Sequence, residues 1–245
     1  MSGLRYRSAS HSHVGMVRPT NQDACLDAPE AGLWVVADGM GGHAGGEFVS
    51  TLIVETLRAV PVVAVLADYL RALHAALEQA HALVRRETER RGVELMGSTL
   101  VLLAARGAEA ACLWAGDSRL YRLRDGYLER LSHDHSYVQE LVDGGLLDEA
   151  QARSHPLGNI VTRALGSTES LELAALSLEV RAGDCFLLCS DGLTRTVEDH
   201  ELGLMLGHAL PGEMVRSLIH LGLLRGAPDN LTAVVVRALA ADGQA

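Results

Sequence analysis

Residues 33–50 read LWVVADGMGGHAGGEFVS. The stretch opens on an apolar run (Leu33, Trp34, Val35, Val36, Ala37), meets a carboxylate at Asp38, and passes through glycines before a helical pattern starts near Glu47. A buried strand that ends on an acid and turns through glycine presents that carboxylate at the edge of a sheet. Gly39, Gly41 and Gly42 let the backbone bend sharply and let main-chain groups approach a ligand. A single Asp-Gly of this kind is a turn and nothing more. Its meaning depends on where the other acids of the chain fall.

Four more aspartates fall at similar places. Asp23 follows the turn Pro19-Thr20-Asn21 and enters a short strand, and Asp117 follows the strand CLWAG in AGDSR. Asp191 closes the strand in LLCSDGL, with Gly192 behind it as Gly39 stands behind Asp38; Asp229 precedes Asn230 and the last strand in APDNLTAVVV. Carboxylates gathered at one sheet edge repel one another unless cations lie between them. Oxygen donors without a His or Cys pair favour hard ions, magnesium or manganese, over zinc. Two such ions about 3.5–4 Å apart can activate water for in-line displacement at phosphorus. Arg18 offers a planar fork suited to phosphate oxygens.

Around the central stretch the pattern is of many strands and a few helices. Residues 4–13 and 23–26 read as strands, residues 46–60 as a helix stopped by Pro61, and residues 66–91 as a second helix ended by Gly92. Strands follow at residues 98–104, 110–115, 120–123 and 127–131, with Arg124-Asp125-Gly126 signalling a hairpin. Residues 136–160 are more polar, with a short helical piece at Tyr137, Leu141 and Val142, and read as a flap. Strands return at residues 171–180 and 185–189, a last helix carries Met214, Leu218, Leu221 and Leu224, and residues 232–236 form a final strand. With no repeat and no long linker, this is one domain over residues 1–240, with residues 241–245 a short tail: a two-sheet sandwich flanked by helices.

Composition excludes several classes. The 245 residues are 48% hydrophobic and 21% charged, enough to bury a sizeable core. No apolar run is long enough for a membrane span and MSGLRYRSAS lacks the apolar centre of a signal peptide, so a cytoplasmic protein without a membrane partner is expected. A net charge of -10 argues against nucleic acid. There is no lysine, and all 21 basic residues are arginine; that removes a Walker-type loop, a protein-kinase site and Schiff-base chemistry. Cys25, Cys112, Cys185 and Cys189 show no zinc-ligand pairing and read as buried thiols.

The segments RPTNQD, VADGMGGHAGGE, MGSTL, WAGDSRLYRL, LSHDHS, VTRALG, LLCSDGLT and DNLTAVVV occur in this order. In that order they resemble the bacterial metal-dependent serine/threonine protein phosphatases of the PPM, or type-2C, family, over residues 14–236. The resemblance implies an α+β fold, a four-layer α-β-β-α sandwich of two antiparallel sheets, with a binuclear manganese or magnesium site at one sheet edge. It implies that Asp38 bridges both ions, that the Gly39 carbonyl binds one, that Asp191 and Asp229 complete a shell, and that Asp23 holds the other ion through water. Asp117 with Asp191 would form a third, weaker site, Arg18 would clamp the substrate phosphate, and residues 137–160 would meet the protein substrate. The implied partners are phosphorylated proteins, a bacterial serine/threonine kinase and its targets, acted on by a monomer; small members also serve secretion-system signalling. Gln22 stands where animal members carry a glutamate. Met40 takes the place of their proposed general-acid histidine, a role not transferred to nearby His43.

Two other readings compete. Cys189 to Thr196, CSDGLTRT, matches the C-x5-R-T signature of cysteine-dependent phosphatases, with Cys189 as nucleophile and Arg195 as phosphate ligand. Against it, Leu188 replaces the usual preceding histidine, Asp191 would put a carboxylate into a dianion cradle, and Asp23, Asp38 and Asp229 would have no purpose. The other is a catalytically silent phosphatase-like binding module, which the intact acid set disfavours. His133 and His135 read as structural, Arg195 as a surface or flap-facing side chain.

Overall fold

The computed structural model describes residues 3–41, 45–208 and 210–241. The chain begins with β1 (Leu4–His13), β2 (Asp23–Ala28) and β3 (Leu33–Met40), followed by helices α1 (Gly45–Arg58) and α2 (Leu66–Arg91). Then come β4 (Gly97–Ser98), β5 (Leu100–Arg106), β6 (Glu109–Ala115), β7 (Arg119–Arg124) and β8 (Tyr127–Arg130). Short helices α3 (Tyr137–Asp143) and α4 (Glu149–Arg153) lead to β9 (Ala174–Glu179) and β10 (Cys185–Cys189). Helices α5 (Asp191–Thr196), α6 (Asp199–Met205) and α7 (Pro211–Leu224) precede β11 (Leu231–Ala240).

Every strand pairing is antiparallel. One sheet runs β1-β11-β10-β7-β8, the other β2-β3-β5-β6-β9, with β4 on the end of β3. The unbroken apolar run of β3 follows from burial on both faces. Trp34 and Val36 pack between the sheets with Val101, Leu103, Phe186, Leu188, Val234 and Val236. Leu33, Val35 and Ala37, one pleat out of phase, join Ile53 and Leu57 of α1 and Leu73 and Leu77 of α2. On the far side, Leu187, Cys189, Ala233 and Val235 pack with Leu193, Met214 and Leu218. Helices, sheet, sheet and helices therefore stack as four layers, the α-β-β-α arrangement expected from the resemblance.

Local signals behave as their chemistry requires. Asp125 and Gly126 both take positive φ, 51° and 80°, as a two-residue hairpin turn demands. Gly92 caps α2 in the left-handed region at φ 64°. Several boundaries move. β3 runs past Asp38 to Met40 because Gly39 and Met40 pair with β4. Residue 99 interrupts the strand expected at 98–104, and β11 reaches Ala240 because β1 pairs along its whole length. Helices α4, α5 and α6 were not expected from the sequence. The excursion 137–160 is closed at its base by the bridge Ser136–Val161 and by Tyr137 N–H donating to Ile160 O at 2.9 Å. Of the expected tail, only Ala241 is among the described residues. No helix among them is long and apolar enough to cross a membrane.

Candidate metal and catalytic site

The acids singled out in sequence meet at one end of the sandwich. Asp23 opens β2 and lies directly opposite Asp38 in the antiparallel register. Asp191 is the first residue of α5, two residues past the end of β10, and Asp229 lies two residues before β11. Asp117 follows β6 by two residues. Asp38, Asp117, Asp191 and Asp229 line a cavity of about 380 Å³, together with Arg18, Gln22 and Gly39. Asp23 does not line it; it lies behind, buried among hydroxyls.

Each acid is held by its own framework. The Asp38 carbonyl accepts from Thr99 N–H and Ser98 Oγ, both at 2.9 Å, and Asp38 N–H donates to Thr99 Oγ1 at 3.1 Å. Thr99 Oγ1 in turn meets Ser118 Oγ at 2.7 Å, next to Asp117. Ser190 Oγ and Thr232 Oγ1 both donate to Asp23 Oδ2, at 2.7 and 2.6 Å, while Asp23 Oδ1 is buried with no hydrogen-bond partner. Asn230 is a junction: its Oδ1 accepts from Gln22 N–H, and its Nδ2 donates to Val14 O and Thr20 O. That ties the loop bearing Arg18 to the start of β11. Asn230, Ser190, Thr99 and Thr232 were not named as site residues, although each sits inside a motif that was read.

Two glycines are required by close approach. A Cβ on Gly39 would lie 2.1 Å from Gly46 O and 2.7 Å from Gln22 O; one on Gly192 would lie 2.0 Å from Asn230 O. The paired Asp-Gly steps thus let separate backbones touch beside the acids.

Crowding shows in the electrostatics. Burial pushes the Asp38 carboxyl well above the usual range, and the negative charges of Asp23, Asp191, Asp117 and Asp229 push it further. Asp117 is raised to about 8 by burial, then by Asp191 and Asp134. Asp23 is raised to about 6, burial outweighing the two hydroxyl bonds. Asp191 is raised by burial, against the pull of Arg195. A pocket that strains to hold this much negative charge suits cations. The orphaned Asp23 oxygen and the oxygen-only donor set fit hard divalent ions. Among the described residues no three acidic, His or Cys side chains ring one point by themselves, so carbonyl and water oxygens must complete any shell.

Two arginines differ from expectation. Arg18 forms a two-pronged ion pair with Asp229, Nε to Oδ1 at 2.9 Å and Nη2 to Oδ2 at 2.7 Å, with half of its side chain exposed. Arg195 faces the flap as expected, but it also lines the cavity and binds Asp191 Oδ2 at 2.6 Å. That pairing leaves no open phosphate fork for cysteine chemistry. Cys189 points into the helix layer, does not line the cavity, and burial pushes its thiol up to about 12. A thiol held protonated and out of reach is no nucleophile. Asp134, between the two histidines of HDH, is buried against Arg119 at 2.7 Å; His133 meets Asp143, and His135 stacks on Trp114. Those roles are structural. His43 lies outside the described residues.

Known proteins share this fold. The family described as Protein phosphatase 2C matches residues 7–218. The serine/threonine protein phosphatase PstP of Mycobacterium tuberculosis is 39% identical over 95% of this chain, which spans only 44% of that relative's length. The protein phosphatase PhpP of Streptococcus pneumoniae is 30% identical over 91% of the chain and 94% of its own. Among solved structures, PppA, described as a key regulatory component of T6SS in Pseudomonas aeruginosa, superposes with a TM-score of 0.92 at 62% identity, covering 98% of this chain and all of that one. The catalytic domain of PstP in complex with two manganese ions gives 0.88 at 36% identity, covering 96% and 99%.

Proposed function

The chain belongs to the protein phosphatase 2C family, and on that premise we propose that it hydrolyses phosphoserine and phosphothreonine in proteins, using two divalent cations held by its aspartate cluster. The observation that carries the reading is the convergence of Asp38, Asp117, Asp191 and Asp229 on one cavity beside Arg18. The relative solved with two manganese ions supports manganese; magnesium satisfies the same oxygen donors. In this reading Asp38 would serve both ions and the Gly39 carbonyl one of them, Asp191 and Asp229 would complete one ion's shell, and Asp23 would help hold the other from behind through water. When bound, such cations lower the pKa of water to give a nucleophile near neutrality and polarise the phosphoryl oxygens.

The chain's own residues do the rest. Arg18 is placed to orient the phosphate by exchanging Asp229 for the substrate's oxygens. The pair it gives up is half-exposed on its arginine side, where water screens it and a phosphate can reach the guanidinium. Thr99, Ser98 and Asn230 hold the acids and the Arg18 loop in register, so little reorganisation is left for the reaction. The flap α3–α4 stands at the cavity mouth through Asn159 and is the surface for the protein substrate. The physiological opponent in this reading is a bacterial serine/threonine kinase and its targets, and the enzyme acts as a cytoplasmic monomer. The likeness to PppA supports a place in the regulation of a secretion system.

The test is hydrolysis of an aryl phosphate and of a phosphothreonine peptide with manganese, with magnesium and after EDTA, each with and without thiol alkylation. Activity that needs the metal and survives alkylation is expected. Activity that survives EDTA and dies on alkylation would overturn the reading in favour of cysteine chemistry; none at all would leave a binding module.

A further inference from the structure

Asp117 and Asp191 share one cavity wall, yet they are served unequally. Asp191 is bound by Arg195 Nη2 at 2.6 Å, whereas Asp117 makes no side-chain hydrogen bond to any described residue and feels Arg195 only through its charge. Both acids, Arg195 and Asn159 also line a second, larger cavity of about 650 Å³ that runs under the flap. The guanidinium therefore stands on the partition between the two spaces. Its Nη1 donates to Asn159 Oδ1, and Nη2 reaches Gly158 O at 3.4 Å, so one planar group joins a site acid to the flap. Of the other arginines lining the larger cavity, Arg119 is committed to Asp134 and Tyr121, Arg225 to Glu201 and Arg130 to Gln139 and Asp134. Arg153 stands on the flap helix α4, away from the Asp117–Asp191 pair in sequence and without an ion-pair partner among the described residues.

Sequence spacing brings the two side chains within reach once α5 forms. Asp191 is its first residue and Arg195 lies four further on, in the last turn. Side chains four apart share a face, and this order of acid and base also suits the helix dipole. A divalent ion placed between Asp117 and Asp191 would have to sit beside a fixed positive charge that already answers the acids.

Resting on the two-cation reading above, we propose that Arg195 is a built-in counter-cation for the Asp117–Asp191 pair. It takes the part of a third divalent ion there and orders the flap through Asn159, so the centre loads two ions and not three.

The experiment is equilibrium dialysis against rising manganese, with metal content per chain measured for the wild type, Arg195→Met and Arg195→Lys. Hydrogen exchange of amides 155–160 is followed in the same samples. The wild type should stop at about two ions per chain. Arg195→Met should take up one more, and its flap amides should exchange about tenfold faster until that ion loads. Arg195→Lys keeps the charge and loses the fork: it should still refuse the third ion but loosen the flap. If the Met variant does not fold by circular dichroism, the Lys variant decides by those two readouts. A wild type that loads three ions leaves the two-ion reading standing and overturns this proposal. A wild type that retains none overturns both. Flap exchange unchanged in both variants also overturns it.

Discussion

The two sides of the cavity are built on different principles. The floor, with Asp23 and Asp38, belongs to the sheets. Its acids are held by strand register and by hydroxyls from elsewhere in the chain: Ser190, Thr232 and Thr99. The wall, with Asp191 and Asn159, belongs to a six-residue helix and a loop, and its main restraint is one partly exposed arginine. Hydrogen bonds inside a buried framework fix geometry from several directions; a partly exposed ion pair fixes it through one side chain alone. The floor is thus suited to chemistry, where small displacements cost rate, and the wall to recognition, where a partner must enter and leave.

The sharpest way to break that comparison is Asp38→Asn on the floor. Turnover of an aryl phosphate at saturating manganese should fall about 10³-fold or more, the several kcal/mol that a positioned metal centre supplies. Stability without metal should move the other way. The folded Asp38 pKa lies above its unfolded value, so ionisation opposes folding, and the penalty grows as pH rises from the ordinary carboxylate range through the elevated one. Removing the charge lifts that penalty, and at neutral pH the melting temperature should rise by about 2–4 °C per kcal/mol relieved. A fall in turnover of less than about tenfold would move the chemistry off the floor.

A smaller effect is expected behind the floor. Ser190→Ala and Thr232→Val each remove a hydroxyl from Asp23 and should each cost about 1.5–3 kcal/mol in urea unfolding, as hydrogen bonds to a charged group do. Both hydroxyls serve the same oxygen, so the double variant should depart from the sum of the singles by about 0.5 kcal/mol or more. Strict additivity would mean that the two hydroxyls do not act as one cradle.

The floor was far more legible in sequence than the wall. The strand before Asp38, helices α1 and α2 and the hairpin at Asp125-Gly126 are written in local periodicity and turn chemistry, which act over a few residues. The acids could be named because each follows a strand or precedes one. What holds them could not: Asp23 and its hydroxyl partners lie 167 and 209 residues apart, and only the sheet register brings them together. On the wall Asp191 was named, but the helix it opens and its pairing with Arg195 were missed, for another reason. Helix α5 is too short to show a period, and Ser190 at its start makes no side-chain cap. It forms because Leu193 and Val197 bury themselves against α7 and β11. Without that helix, the four-residue spacing of Asp191 and Arg195 has no meaning. Helix α4 carried a local signal after all, the reciprocal cap between Asp148 and Gln151, in a stretch where glycines and Pro156 pointed to loop.

The mildest test is Asn159→Ala, at the tip of the wall. It removes the flap's side-chain acceptor for Arg195, leaving the long contact to Gly158 O and the ion pair to Asp191 in place. Because Asn159 is exposed, unfolding free energy should change by less than about 0.5 kcal/mol. A small aryl phosphate asks nothing of the flap, so its kcat should stay within about twofold, whereas KM for a phosphothreonine peptide should rise about threefold as the flap loses its tether. If kcat for the small substrate fell as far as peptide binding did, the wall would be part of the reacting geometry. Floor and wall would then be one rigid unit, not a fixed base with an adjustable side.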